Sequence, residues 1–244
     1  MAPSHFSEKG RWALQLAAVD FEEIRLTPGL HRPMLRRIGA GSSVPALLTD
    51  RGLFKDSSSI LREADRLLPD SHKLYPEAVR SEIEAYEEEV AREVGHSVPR
   101  WAYAHMLSHR GLIVPVLLEG VVGWQRALFP WLFPLVRAFM RRGLRLTPER
   151  TELMRTRIQQ HFDRVAERLD AREYLFGDRF TAADLSLAAL SAPLLDQVGY
   201  GGALLPRARC PAVVRDQVEA WQAHPIAAYV DRIYRRHRHH LQGA

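Results

Sequence analysis

From Pro69 onward this sequence shows no convincing alternation of apolar and polar residues, and helical periods carry it through the rest of its 244 residues. A strand needs a side-chain period of two and a partner to pair with, and the later part of the chain offers neither. The first seventy residues are different. Phe6, Trp12, Ala13, Leu16 and Ala17 fall at helical spacing over residues 5–19, and Phe21 to Leu26 reads as a short strand. Pro33 to Ile38 reads as a short helix. Val44 to Leu48 and Gly52 to Phe54 are brief apolar runs around Thr49-Asp50-Arg51-Gly52, whose Asp and Gly suit a hairpin turn. Ser57 to Leu68 has a serine-rich start, with Ile60, Leu61, Ala64, Leu67 and Leu68 on one face. The architecture expected is therefore a small α/β unit over residues 1–69, a linker from Pro69 to Pro76, and an all-helical unit over residues 77–240.

Within that helical unit the periodicity predicts helices from Glu77 to about Leu107 and from Pro148 to Arg172. Further helices are predicted from Ala182 to Leu195, Ala212 to Ala223 and Ile226 to about His237. The most apolar region, Leu112 to Met140, is interrupted by Glu119, Arg126 and Arg137 and by Pro115, Pro130 and Pro134, so breaks are expected at the prolines. Its uncharged stretch from Ala127 to Val136 falls short of the ~20 residues of a spanning helix. No integral membrane segment is expected; association with a membrane surface stays open for Leu112 to Arg142. Trp101, Tyr103, Trp124, Phe129, Trp131 and Phe133 are expected mainly in the core, some of them lining a cleft between the two units.

With 46% hydrophobic residues the chain can bury a real core. Its formal charge is +5, and only Lys9, Lys55 and Lys73 are lysines, so the excess is arginine. That arginine is interleaved with Asp and Glu, as over Arg150 to Arg172, a pattern of solvated helix faces rather than a nucleic-acid stripe. Cys210 is the only cysteine, which excludes a disulfide framework and a Cys-based zinc site and fits a reducing, cytoplasmic setting. The eleven histidines show no metal-ligand spacing; His237, His239 and His240 read as a solvated tail.

One stretch gathers the chemistry. Pro45 at the start of an apolar run belongs at a sheet edge or beside a loop. With the Val44-Pro45 bond cis, the N–H and C=O of Val44 point outward, free to pair with an extended peptide-like ligand as an added strand would. Asp56-Ser57 follows eleven residues later at a helix start. Either residue is an ordinary cap, worth ~0.5 to 2 kcal/mol. The same pair also suits a zwitterionic end group, with helix amides and the Ser57 hydroxyl holding a carboxylate while Asp56 accepts from an ammonium.

The order SHFSEKGRWAL (Ser4 to Leu14), SVPALL and DSSSI resembles the N-terminal thioredoxin-like domain of the cytosolic glutathione transferase superfamily, and YLFGDRFTAADLSLAAL (Tyr174 to Leu190) resembles that family's helical motif. The second motif also has its own physical account, because Thr181 and Asp184 form a capping box and Phe180 can staple onto Leu185. The resemblance implies a thioredoxin-like N-terminal domain with an all-α helical-bundle C-terminal domain. It also implies a cytoplasmic, homodimeric detoxification enzyme that activates glutathione as co-substrate for attack on a small apolar electrophile. Val44 and Pro45 would hold the cysteinyl backbone of glutathione, Asp56 and Ser57 its γ-glutamyl end, and Ser4 would face the sulfur, with Ser7 the alternative.

Lowering a thiol pKa of about 8.5 by two units requires ~2.7 kcal/mol of preference for the anion. One charge-assisted hydrogen bond supplies ~1.5 to 3 kcal/mol, and a helix N-terminus adds ~0.3 to 1 kcal/mol. Two departures stand against the family pattern. Only Met1-Ala2-Pro3 precedes Ser4 where the family has a central strand, so the first strand of the sheet is missing, and Ser42 and Ser43 replace the basic residue before Val-Pro, leaving Arg36 or Arg37 to substitute. The rival reading is therefore a non-catalytic binding or interaction protein that keeps the fold.

Overall fold

A computed structural model describes residues 1–169 and 172–238. Its N-terminal part runs α1 (His5–Leu16), α2 (His31–Arg37), β1 (Leu47–Thr49), β2 (Gly52–Phe54) and α3 (Ser57–Leu67). The strands β1 and β2 form an antiparallel hairpin with Leu48 opposite Leu53, the only sheet among the described residues. Gly52, at φ +130°, closes the turn in a conformation that side chains resist.

Phe21–Leu26 forms no regular secondary structure, contrary to the strand expected from sequence. A strand is defined by its partner, and the position a central strand would occupy is not filled by residues before α1: the Ala2 carbonyl instead accepts from Ala203 N–H at 3.0 Å, and Ala2 packs with Val116 and Ala203.

The remainder is helical: α4 (Arg80–Val90), a π-turn at Ala91–Gly95, α5 (Ser97–Met106), α6 (Arg110–Leu117), α7 (Trp124–Gly143), α8 (Pro148–Leu169), α9 (Ala182–Leu195), α10 (Ala212–Gln222) and α11 (Pro225–His237). Pro130 and Pro134 do not break α7 as expected. Pro134 has no N–H to give the Pro130 carbonyl, and Arg110 from α6 donates to that oxygen at 2.9 Å instead. Trp101, Phe129 and Phe133 are core residues, whereas Trp124 and Trp131 lie on the surface.

Helix α9 is apolar on every side and is buried along nearly its whole length, and α1, α4 and α11 pack around it. Thr181 N–H and Oγ both donate to the Asp184 carboxylate, at 2.8 and 2.9 Å, which starts α9 where the sequence placed it. Phe180 stacks on His237 with ring centroids 4.0 Å apart, so His237 is an ordered packing residue rather than part of a tail. His239 and His240 lie outside the described residues.

A buried ion pair joins the two parts. Lys9 Nζ of α1 lies 2.5 Å from Glu87 Oε1 of α4, and both side chains are almost fully enclosed. Two charges removed from water survive only when their remaining hydrogen-bonding capacity is met. Here Ser58 Oγ accepts from Lys9 at 2.8 Å, and Tyr75 and Ser186 donate to the Glu87 carboxylate at 2.5 and 3.2 Å. The start of α3 is thereby tied to α1, α4 and α9.

Candidate functional site

Three chain segments meet at an open cavity of about 650 Å³ between the N-terminal elements and helices α5 and α7. The first is the start of α1. Ser4 has extended backbone angles and caps the helix, its Oγ accepting from Ser7 N–H at 3.2 Å. The capping role foreseen for serine here is therefore real. It uses an oxygen lone pair and leaves the hydroxyl hydrogen free. Ser4 lines the cavity and Ser7, one turn further in, does not.

The second segment enters the hairpin. The Val44-Pro45 peptide bond is cis, and both residues line the cavity. Among the described residues neither the N–H nor the C=O of Val44 is hydrogen-bonded. The third segment is the start of α3. Asp56 Oδ1 accepts from Ser59 N–H at 2.8 Å, and Ser59 Oγ lies within hydrogen-bond distance of both the N–H and the C=O of Asp56. Ser57, buried at the first helical position, has a hydroxyl without a partner among the described residues, as do the amides of Ser57 and Ser58. A helix N-terminus with two open amides favours an anion.

The structure thus brings Ser4, Val44, Pro45, Asp56 and Ser57 to one cavity, though they are spread over more than fifty residues of sequence. Against this geometry, the comparisons with known proteins agree with one another. Residues 1–72 match the family model "Glutathione S-transferase, N-terminal domain", and residues 148–232 match "Glutathione S-transferase, C-terminal domain". The chain belongs to the glutathione S-transferase superfamily.

Solved structures of the same fold are distant in sequence. A glutathione S-transferase domain-containing protein from Marinobacter aquaeolei VT8 is 18% identical with a TM-score of 0.56, covering 93% of this chain and 95% of its own. Gtt2 from Saccharomyces cerevisiae gives the same identity and TM-score, with 93% and 96% covered. A glutathione S-transferase of Ceriporiopsis subvermispora, solved in complex with glutathione, is 12% identical with a TM-score of 0.59, covering 94% and 88%. No curated protein matches the chain in sequence.

The cations of the cavity are not those the sequence suggested. Arg36 and Arg37 do not line it; Arg32 and Lys55 do, together with His31. His31 hydrogen-bonds through its two ring nitrogens to the carbonyls of Thr27 and Ser42, at 3.2 and 3.1 Å, and burial holds its pKa below the usual value. The ring thereby ties the loop before Val44 to Thr27, ahead of α2. His5, beside Ser4, reaches the Gly95 carbonyl at 2.7 Å, and burial lowers its pKa to about 4. Gly95 has no room for a side chain, since an added Cβ would lie 2.6 Å from the Phe6 ring. His96 and Tyr103 also line the cavity, and burial raises the Tyr103 pKa to about 12, so its hydroxyl stays protonated.

A second, smaller cavity of about 100 Å³ shares Pro3, His5, Pro99 and Tyr103 with the first and continues among Val98, Trp101, Met106 and Ile113. Cys210 is one of its wall residues, and burial raises the pKa of its thiol. Sequence reasoning missed His31 and His96, because each reaches the cavity from a separate segment and nothing in the local sequence pattern ties it to Val44.

Proposed function

We propose that this glutathione S-transferase superfamily member binds glutathione in the larger cavity and activates its thiol for addition to a small apolar electrophile. The observation that supports this most directly is the convergence of an unpaired Val44 main chain, two open amides at the start of α3 and a capping serine with a free hydroxyl hydrogen at one cavity. In this reading the Val44 N–H and C=O pair with the cysteinyl backbone of glutathione. The γ-glutamyl carboxylate rests on the Ser57 and Ser58 amides and the Ser57 hydroxyl, and its ammonium on Asp56. Arg32 and Lys55 are the cations available to the glycyl carboxylate.

Ser4 Oγ–H donates to the sulfur and stabilises the thiolate, the thiol proton leaving to solvent. Ser4 accepts the Ser7 amide at the same time, which holds its oxygen in place and leaves the hydroxyl hydrogen free to turn to the sulfur. The thiolate sulfur then forms a bond to the electrophilic carbon, and the electron pair departs with the leaving group or takes up a proton. The apolar pocket beyond Tyr103 is suited to the electrophile. A homodimer with a helical unit over residues 77–240 and a glutathione-binding unit over residues 1–69 belongs to the same reading.

Retention on immobilised glutathione tests the binding half. Conjugation of an activated aryl halide tests the chemistry. Ser4→Ala should lower the rate at pH 7 about twenty-five-fold, the ratio of thiolate fractions for thiol pKa values two units apart, while Ser7→Ala stays near wild type. The reverse result moves the role to Ser7. A non-catalytic glutathione-binding protein is favoured by one observation, that the Ala2 carbonyl is engaged by Ala203 N–H rather than by the sheet. Retention without conjugation by the wild-type chain would establish that reading instead.

A further inference from the structure

Helix α7 carries two apolar faces, and only one of them is used by the fold. Gln125, Phe129 and Phe133 are buried against the body of the protein. Trp124, Leu128, Trp131 and Leu135 recur at intervals of four, three and four residues and so form one stripe on the other side. Trp131 is 83% exposed, Leu135 71% and Trp124 60%, and Val122, just ahead of the helix, is 80% exposed. With twenty residues the helix is about 30 Å long. Nothing in the proposed chemistry uses this stripe.

Its surroundings are of one charge. Between Glu119 and Glu149 the chain has five arginines, Arg126, Arg137, Arg141, Arg142 and Arg145, and no acid. Arg126 donates to the Leu118 carbonyl at 3.2 Å. Arg137, Arg141, Arg142 and Arg145 have no ion-pair partner among the described residues. At 100° per residue, Arg142 continues the line of the stripe at the last turn, Arg141 lies to one side of it, and Arg137 lies nearer the buried face. Residues 73–147, which include α7, lie outside both family matches.

We infer that α7 lies on an anionic lipid surface, with Trp124, Leu128, Trp131 and Leu135 in the headgroup and acyl boundary and the arginines on lipid phosphates and carboxylates. The charge distribution selects this occupant. Between Glu119 and Glu149 the chain offers a second copy no acid to pair with these arginines, whereas an anionic leaflet neutralises them. Tryptophan suits the interface because its ring is apolar and its N–H stays wet. Arginine stems can run along the apolar stripe while the guanidinium groups reach headgroups. No helix among the described residues is long and apolar enough to cross a membrane, so α7 rests on the surface.

Flotation of the full chain with vesicles tests this. Binding is expected to phosphatidylcholine vesicles containing phosphatidylserine, weakened by added salt, and not to vesicles of phosphatidylcholine alone. The double variant Arg141→Gln, Arg142→Gln should partition about twenty-five-fold less, at roughly fivefold per arginine. Trp131→Ser should partition roughly tenfold less, with an unchanged far-ultraviolet spectrum, because the residue makes no part of the core. Failure to bind anionic vesicles at low salt, equal binding to both vesicle types, or indifference to Trp131→Ser would each overturn the inference. So would a dimer in solution that Trp131→Ser dissolves while vesicle binding is absent.

Discussion

Helices α3 and α9 each begin with an oxygen-bearing cap and a partner three residues on, Asp56 with Ser59 and Thr181 with Asp184. At α9 the carboxylate is enclosed. Asp184 accepts from Thr181 N–H and Oγ, from Leu175 N–H at 2.8 Å and from Tyr229 OH, so its oxygens are spent within the protein. At α3 the carboxylate is exposed and takes one backbone N–H, while the next two amides and the Ser57 hydroxyl have no partner among the described residues and face a cavity. The same local chemistry thus closes one helix start and leaves the other open. Burial decides which becomes scaffold and which is available to a ligand.

The comparison can be broken by substitution. Asp184→Ala leaves four buried donors without an acceptor, each costing about 1 to 3 kcal/mol if nothing replaces the bond, with sums less than additive. A loss of roughly 4 kcal/mol is expected in denaturant unfolding, against about 1 kcal/mol for Asp56→Ala, the ordinary worth of an exposed cap. Comparable losses from the two variants would mean that the caps do not differ in kind. Next in size is Glu87→Ala, which strands the Lys9 ammonium beneath α3 and should cost roughly 3 kcal/mol or more. Replacing Lys9 and Glu87 together by Met and Leu should recover much of that loss, since no lone charge then remains buried.

Acid probes the two parts through their histidines. Burial lowers the pKa of His5, under the cavity, and of His161, in the helical core, from 6.5 to about 4. Between those values the unfolded chain takes up protons that the folded protein excludes, so stability is full above about pH 6.5 and falls as the pH drops. The slope is about 1.4 kcal/mol per pH unit for each histidine, ending below about pH 4. His161→Gln and His5→Gln, measured as unfolding free energies against pH, should each remove about 1.4 kcal/mol per pH unit of that slope. The smallest change in stability is expected from Asp56→Asn, within about 0.5 kcal/mol because asparagine caps as well as aspartate. It should nevertheless weaken glutathione binding roughly tenfold by removing a charge-assisted bond. That variant separates the cap from the ligand contact more sharply than any other.

Much of this was legible in the sequence. The start of α9 was readable because a capping box is a local pattern, decided within four residues by Thr181 and Asp184. The hairpin and α3 were readable for the same reason, and so was the pairing of Val44-Pro45 with Asp56-Ser57 across one turn. Phe21–Leu26 failed as a strand because pairing is not local: an apolar, extended segment becomes a strand only beside another strand. Pro130 and Pro134 misled because a helix tolerates a missing N–H when another donor, here Arg110, satisfies the freed carbonyl.

By itself, then, the order of residues determined where the helices and the hairpin start, which ends carry caps, and that the chain divides into a mixed part and a helical part. These follow from spacing and from hydrogen bonds a few residues long. Tertiary structure alone decided which cap is closed, which cations reach the cavity, that Tyr103 faces it, and that Trp124 and Trp131 point outward. Those outcomes depend on which surfaces meet, and apolar character tells a residue that it can be buried without telling it against what.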